Sequence, residues 1–174
     1  ASAATARPSI SSRGWPTMFV RLALEHEEDI FVQMGIANLE ETMPGEPYSI
    51  EKLRAMFQGY LGRADPTIFF VEHRREVIGF MVSYICEFDY RDGHYTTQRV
   101  IYVSPENRGT RAAVLLVKEL VRWSKSIGAA KIDGGNDNSF NSDRTAAFLE
   151  HFGFKRVGLY LTKLLEERTD GQEG

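Results

Sequence analysis

Cysteine, basic surplus and long apolar runs are all scarce in this chain, and each shortage removes a class of protein. Cys86 is the only cysteine in 174 residues. No intrachain disulfide and no cysteine-built metal cluster can form within one chain, and a reducing, cytoplasmic setting is the simplest expectation. Charges or glycine interrupt every apolar stretch well short of the ~20 residues that cross a bilayer, so no membrane partner is expected. The net charge is −3 with an isoelectric point near 5.9, which argues against a general nucleic-acid binder, whose phosphate contacts call for a basic face. His26, His73, His94 and His151 fall in no metal-ligand spacing, so no metal site is expected. Neither a G-x-S-x-G nucleophile elbow nor the G-x-x-x-x-G-K of a nucleoside triphosphate loop is present.

What remains is an ordinary soluble composition, 43% hydrophobic and 26% charged, on a chain long enough for one domain with a real core. Ala1 to Thr17 is rich in Ala, Ser and Arg and lacks acids and periodicity. It is expected to be a tail outside the fold, whether native, a targeting segment or a cloning remnant. The domain is expected over 18–166, with a second tail at 167–174.

Within that domain Phe19 to Leu24 predicts a strand and Glu25 to Leu39 a helix, with apolar residues at helical spacing behind an acidic first turn. Glu40 to Pro47 breaks regular structure with two prolines and a glycine, and Ser49 caps a second helix running to about Leu61. After the Asp65-Pro66 turn, Thr67 to Glu72 and Glu76 to Phe88 read as strands joined at His73-Arg-Arg75. Asp89 to Gly93 makes a polar turn, and Tyr95 returns as a strand to Val103. Gly128 to Asp133 is expected as the next strand, parallel to it through a helical crossover. A polar loop, Gly134 to Asp143, then leads to a helix started by Asn141 or Ser142 and ended at Gly153.

The stretch from Ile101 to Ile127 is the one around which the other elements are arranged. Val100 to Val103 suits a buried strand, Pro105 stops its ladder, and a helical pattern begins after Gly109. Ala112, Leu115, Leu116, Leu120 and Trp123 recur at spacings that give one sticky helix face. At the turn, Gly109 to Ala113 carry N–H groups that a helix start leaves without acceptors, at the positive end of the helix dipole. Such a place attracts phosphate.

Arg108-Gly-Thr-Arg-Ala-Ala113, preceded by Val103-Ser-Pro-Glu-Asn107, resembles the acetyl-coenzyme A signature Q/R-x-x-G-x-G/A of the GNAT N-acetyltransferases. Thr145-Ala-Ala-Phe-Leu-Glu-His-Phe-Gly-Phe154 resembles the same family's helix ending in F-Y-E-K-L-G-F. Lys155 to Leu165 then reads as the closing strand pair, and Val77-Ile-Gly-Phe80 matches the strand after the family's hairpin. The resemblance spans roughly Phe19 to Leu165.

It implies an α/β (α+β) fold: a mixed, mostly antiparallel twisted sheet flanked by helices, with a strand split at the acetyl-CoA site. The implied activity is transfer of an acetyl group from acetyl-CoA to a primary amine of a small molecule or protein. Implied cofactor contacts are Ile101, Tyr102, Val103, Arg108, Gly109, Thr110, Arg111, Ala112, Ala113 and Asn141, with the pantetheine arm on the strand edge at Tyr102 and Val103. Two positions depart from the pattern: Arg111 stands where the family has glycine, and Leu149 where it has its proton-donating tyrosine. Tyr160, Tyr102 and Tyr95 are the substitute acids and Glu87 or His94 the bases, with Tyr160, Tyr102 and Glu87 taken as the catalytic set. Arg108 and Arg111 are expected to flank the CoA pyrophosphate. Glu40, Glu41 and Glu46, with the loop Asp133 to Asp143, are expected to favour a cationic acceptor. The assembly state is left open to a homodimer. The two departures keep a second function open, a GNAT-shaped CoA-binding or regulatory protein with weak or no catalysis.

Overall fold

Two apolar periodicities build three layers. In the computed structural model of the protein, residues 18–136 and 140–163 are described. The tail 1–17, the end of the domain from Leu164 onward and Asp137 to Ser139 in the polar loop lie outside them. The chain runs β1 (Met18–Leu22), a short 3-10 turn (Glu25–Glu27), α1 (Glu28–Thr42), α2 (Ile50–Arg63), β2 (Thr67–His73) and β3 (Glu76–Glu87). It continues through β4 (His94–Val103), a second 3-10 turn (Pro105–Asn107), α3 (Ala112–Ser126), β5 (Ile132–Asp133) and α4 (Ser142–Glu150).

The strands form one sheet in the order β1-β2-β3-β4-β5. The first four are antiparallel and β5 joins β4 in parallel, as the helical crossover through α3 allows. Alternate residues of β2 to β4 serve two cores. Ile68, Phe70, Phe80, Val82 and Tyr102 pack against Phe31 and Val32 of α1 and Phe57 and Tyr60 of α2. Phe69, Val71, Met81 and Val103 pack against Ala112, Leu116 and Leu120 of α3 on the other face. The mixed, mostly antiparallel architecture is therefore the one expected.

Several boundaries move, each for a local reason. Helix α1 starts at Glu28 rather than Glu25, because the Glu27 carboxylate turns back to accept the Leu24 N–H (2.7 Å) and the Arg21 guanidinium. It also runs on to Thr42, so Glu40 and Glu41 belong to its last turn and not to the loop. Ser49 caps α2 as expected, accepting the Lys52 N–H. The strand expected over Gly128 to Asp133 shortens to Ile132–Asp133, since Ile127 to Ala129 are spent closing the end of α3.

The closing strand pair is the one element that does not form among the described residues. Lys155 to Lys163 carries no strand, and Val157, Leu159 and Leu161 are 97%, 93% and 88% exposed. Their alternation is real, but among the described residues no strand pairs with this segment.

Candidate functional site

Strand β5 pairs with β4 at Thr96 and Thr97, so from Gln98 to Val103 the outer edge of β4 has no strand beside it among the described residues. Which backbone groups that opening exposes follows from the register. Ser104 N–H donates to the Ile78 carbonyl (3.0 Å), which makes Phe80–Tyr102 and Val82–Val100 hydrogen-bonded pairs of the antiparallel ladder. Gly79–Val103 and Met81–Ile101, paired in the same register, are then the non-hydrogen-bonded ones. The peptide groups of Ile101 and Val103 point out into the split, whereas those of Tyr102 are spent on β3. Of the expected edge residues Ile101, Tyr102 and Val103, the first and last have outward peptide groups and Tyr102 does not.

A β-bulge sets this phase. Val82 pairs with Val100 but Ser83 with Gln98, so Arg99 is the extra residue in β4. Before it, the outward groups are those of His94 and Thr96, whose carbonyl and N–H bond Ala130 and Lys131; after it they are those of Ile101 and Val103. Gln98 sits where the strands part, and its Oε1 accepts the Gly135 N–H (3.2 Å) just beyond β5.

Gly79 lets β3 and β4 close up behind the split. A Cβ there would lie 2.4 Å from the Tyr102 carbonyl oxygen and 3.1 Å from the Val103 Cα. This is the glycine of Val77-Ile-Gly-Phe80, and its reason is close backbone approach.

Beyond Val103 the chain makes a 3-10 turn closed by Asn107 N–H to Ser104 O (2.9 Å) and Arg108 N–H to Pro105 O (3.3 Å). Gly109 takes φ +78°, a conformation that glycine adopts without strain. Thr110 Oγ1 donates to the Asn107 carbonyl (2.7 Å) and accepts the Ala112 N–H (3.3 Å), stitching the turn to the start of α3. The N–H groups of Ala113 and Val114 are those that such a start leaves without a helical acceptor.

The two arginines do not converge. The Arg108 guanidinium turns back along the chain: Nε donates to the Val103 carbonyl (3.0 Å) and Nη1 to Glu41 Oε1 (2.6 Å), with Nη2 on Glu41 Oε2. The Arg108 hydrogen bonds hold the Glu41 carboxyl below its ordinary range. Arg111, the residue before α3, is exposed; its carbonyl accepts the Leu115 N–H (2.9 Å), and its guanidinium has no hydrogen bond or ion pair among the described residues. Glu106 is not its partner; that carboxylate accepts from Asn107 Nδ2 (3.4 Å).

The candidate acids and bases are dispersed. Tyr102 is 6% exposed, its ring tilted against Phe80 at 5.8 Å with the Arg108 guanidinium 5.9 Å from its centre. Burial pushes its phenol up, opposed by Arg108, and the hydroxyl has no hydrogen-bond partner among the described residues. Tyr160 is 71% exposed on the uncovered segment after α4. Glu87 pairs with His94 at the far end of the hairpin, roughly 23 Å along the strand from Phe80–Tyr102 at ~3.3 Å per residue. His94 Nε2 is bonded to the Ile127 carbonyl (2.9 Å), and Tyr95 lies at that same far end. Leu149 is 4% exposed, packed behind Gly134. Asn141 is exposed at the start of α4 with φ +52°.

Of the acids expected to receive a cation, Glu41 is occupied by Arg108 and Glu40 accepts the Tyr48 hydroxyl (3.2 Å). Beside them lies an open groove of about 390 Å³ lined by Leu39, Pro47, Tyr48, Lys52, Leu53 and Met56. The Arg108–Glu41 pair was missed from sequence because Glu41 reads as loop; the signal available was the helical phase continuing through Thr42. Among the described residues no group of three or more His, Cys, Asp or Glu could hold a metal ion, and no helix is long and apolar enough to cross a membrane.

Residues 34–154 match the acetyltransferase (GNAT) family. No curated protein matches the chain at a significant level. Solved structures of similar fold include a predicted acetyltransferase with acetyl-CoA from Clostridium acetobutylicum, 19% identical, covering 87% of this chain and 99% of that one with a TM-score of 0.71. A second is the aminoglycoside N-acetyltransferase AAC(6')-Iy in complex with CoA, 17% identical over 87% of this chain and 95% of that one, TM-score 0.67. A third is a transcriptional regulator from Bacillus halodurans, 17% identical over 85% of this chain and 99% of that one, TM-score 0.70.

Proposed function

Because the chain belongs to the GNAT acetyltransferase family, we propose that it transfers the acetyl group of acetyl-CoA to a primary amine of a small molecule or protein, in a cytoplasmic setting. The observation that carries this reading is the open edge of β4, where the outward peptide groups of Ile101 and Val103 lead into the turn that starts α3. An extended amide-bearing arm such as pantetheine adds to such an edge as a strand would. The N–H groups of Ala113 and Val114 lie beyond the turn for the diphosphate, with Gly109, Thr110 and Ala112 shaping the approach. Acetyl-CoA therefore fits the residues present, and when bound it supplies an activated thioester.

The chain's own contributions are positioning and proton handling. The amine must reach the acetyl carbon as the free base, so its proton passes to water at the open end of the split, since Glu87 and His94 lie at the far end of the β3–β4 hairpin. A new N–C bond forms as the C–S bond breaks, and the sulfur leaves with the bonding pair. Of the candidate acids, Tyr102 is the one that lies on the open part of β4, and its hydroxyl, without a hydrogen-bond partner among the described residues, is the group proposed to donate to the sulfur. The acceptor is a cationic amine, for which Glu40 and Glu46 are the remaining acids.

Leu149 favours a second reading, a CoA-binding regulator with weak catalysis, because a buried leucine stands where the family has its acid. Calorimetric titration with CoA, followed by thiol release from acetyl-CoA against polyamines, aminoglycosides and lysine peptides, separates the two. Binding with turnover supports the transferase; binding without turnover supports the regulator; absence of binding overturns both.

A further inference from the structure

Glu41 and Arg108 come from distant parts of the chain, yet both carboxylate oxygens meet the guanidinium side by side. The third donor of that guanidinium, Nε, is held on the Val103 carbonyl at 3.0 Å. That carbonyl is one of the outward groups of the open β4 edge. Three fixed points therefore set one guanidinium plane, and planar arginine is the side chain whose donors suit such a fork. Helix α1 is tied through this contact to the last peptide of β4 and to the turn that precedes α3.

We infer that Glu41 is a positioning residue for acetyl-CoA, acting through Arg108 to fix the Val103 carbonyl and the Ser104–Arg111 turn. This rests on the acetyl-CoA reading above and reassigns both side chains. Arg108 is a structural clamp and not a phosphate ligand, and Glu41 is not an acid for the acceptor. With its carbonyl capped, Val103 offers the ligand only its N–H, leaving the carbonyl and N–H of Ile101 as the neighbouring edge groups.

The two roles for Arg108 predict opposite signs. If Arg108 were a phosphate ligand restrained by Glu41, removing the carboxylate would release a cation to the diphosphate and tighten CoA binding. If Glu41 positions the site, the same change loosens it. Glu41→Ala is expected to weaken CoA binding by calorimetry about 3- to 10-fold, the range for a bidentate, half-exposed charge pair. Glu41→Gln keeps one acceptor oxygen in place and is expected to recover part of the loss. In turnover the effect falls on the KM for acetyl-CoA, with kcat and the KM for the acceptor unchanged. In an Arg108→Ala background, Glu41→Ala is expected to add no further loss. Tighter or unchanged CoA binding in Glu41→Ala, or a raised acceptor KM with normal CoA binding, overturns the inference. Failure of the parent protein to bind CoA at all would instead overturn the reading on which it rests.

Discussion

Gly79→Ala tests whether the geometry of the split depends on the strand behind it. The added Cβ would stand 2.4 Å from the Tyr102 carbonyl oxygen, 3.1 Å from the Val103 Cα and 3.2 Å from Val71 Cγ1. An ordinary contact is near 3.4 Å or longer, and two of the three neighbours are backbone, so β4 must give by about 1 Å. Overpacking of this kind costs typically ~1–3 kcal/mol, and with backbone neighbours the upper part of that range applies. Alanine's lower unfolded-state entropy returns ~0.4–1 kcal/mol, leaving a net loss of about 2 kcal/mol. For a chain of this size that lowers Tm by roughly 4–8 °C. The relieving motion displaces Tyr102 and Val103 toward the split, so CoA affinity falls in the same variant. Gly62→Ala is the control: it lies in α2 with nothing within 4 Å of its Cβ, and is expected to stabilise by up to ~1 kcal/mol. Thermal unfolding and calorimetry with CoA read both effects. A Gly79→Ala protein with the parent's Tm and CoA affinity would refute the reasoning.

Tyr102→Phe keeps the ring packed on Phe80 and removes a hydroxyl that has no partner among the described residues, so stability should change by less than ~0.5 kcal/mol. If the phenol serves the leaving sulfur, kcat falls about 10²-fold or more while CoA affinity holds; an unchanged kcat removes Tyr102 from the chemistry. Burial raises the Glu27 carboxyl, but the Arg21 and Leu24 hydrogen bonds outweigh it and leave the group below its ordinary 4.5. Its stabilisation is therefore complete above about pH 4.5 and is lost as pH falls through the lower folded value. Glu27→Gln should cost ~1–3 kcal/mol at pH 7 and show a flatter acid limb in denaturant unfolding; a limb parallel to the parent's counts against this. Arg111→Ala should weaken CoA binding and flatten its salt dependence if the free guanidinium meets the diphosphate, whereas Arg111→Gly or →Ala binding as tightly as the parent would show that Arg111 only replaces the family's glycine.

How much of this could be read from sequence divides along physical lines. Element types were legible because periodicity depends on which face is buried, and β2, β3, β4 and α3 have strongly one-sided or fully buried patterns. Element ends were less so. Glu25 to Glu27 has helical composition, but a buried ion pair with Arg21 holds it as a separate turn. Lys155 to Leu165 has a strand's alternation, and alternation states only that two faces differ, not that a partner edge exists to satisfy the backbone. Leu159 and Leu161 are exposed for that reason.

The site was legible in its backbone and not in its side chains. Val103-Ser-Pro-Glu-Asn-Arg-Gly marks the end of a strand, a turn and a helix start by local rules; the strand end and the turn lie where those rules put them, and the helix begins at Ala112, later than expected after Gly109. Which peptide groups face the opening depends on the bulge at Arg99, and no local rule marks it: one extra residue moves the outward set from the phase of Thr96 to that of Ile101. Side-chain roles depend on still longer reach. Arg108 and Arg111 share a helix-start spacing that suggests a common anion, but Arg108 is claimed by a carboxylate from α1 and a carbonyl from β4, leaving Arg111 as the guanidinium at the turn without a partner among the described residues. A cation whose charge is already matched within the fold cannot also neutralise a diphosphate at full strength. On the proposed reading, diphosphate binding at this turn therefore rests on backbone N–H groups and on Arg111. The inferred role of the Arg108–Glu41 pair is to set where those groups stand, and only a variant that breaks the pair while leaving Arg111 intact can separate the two contributions.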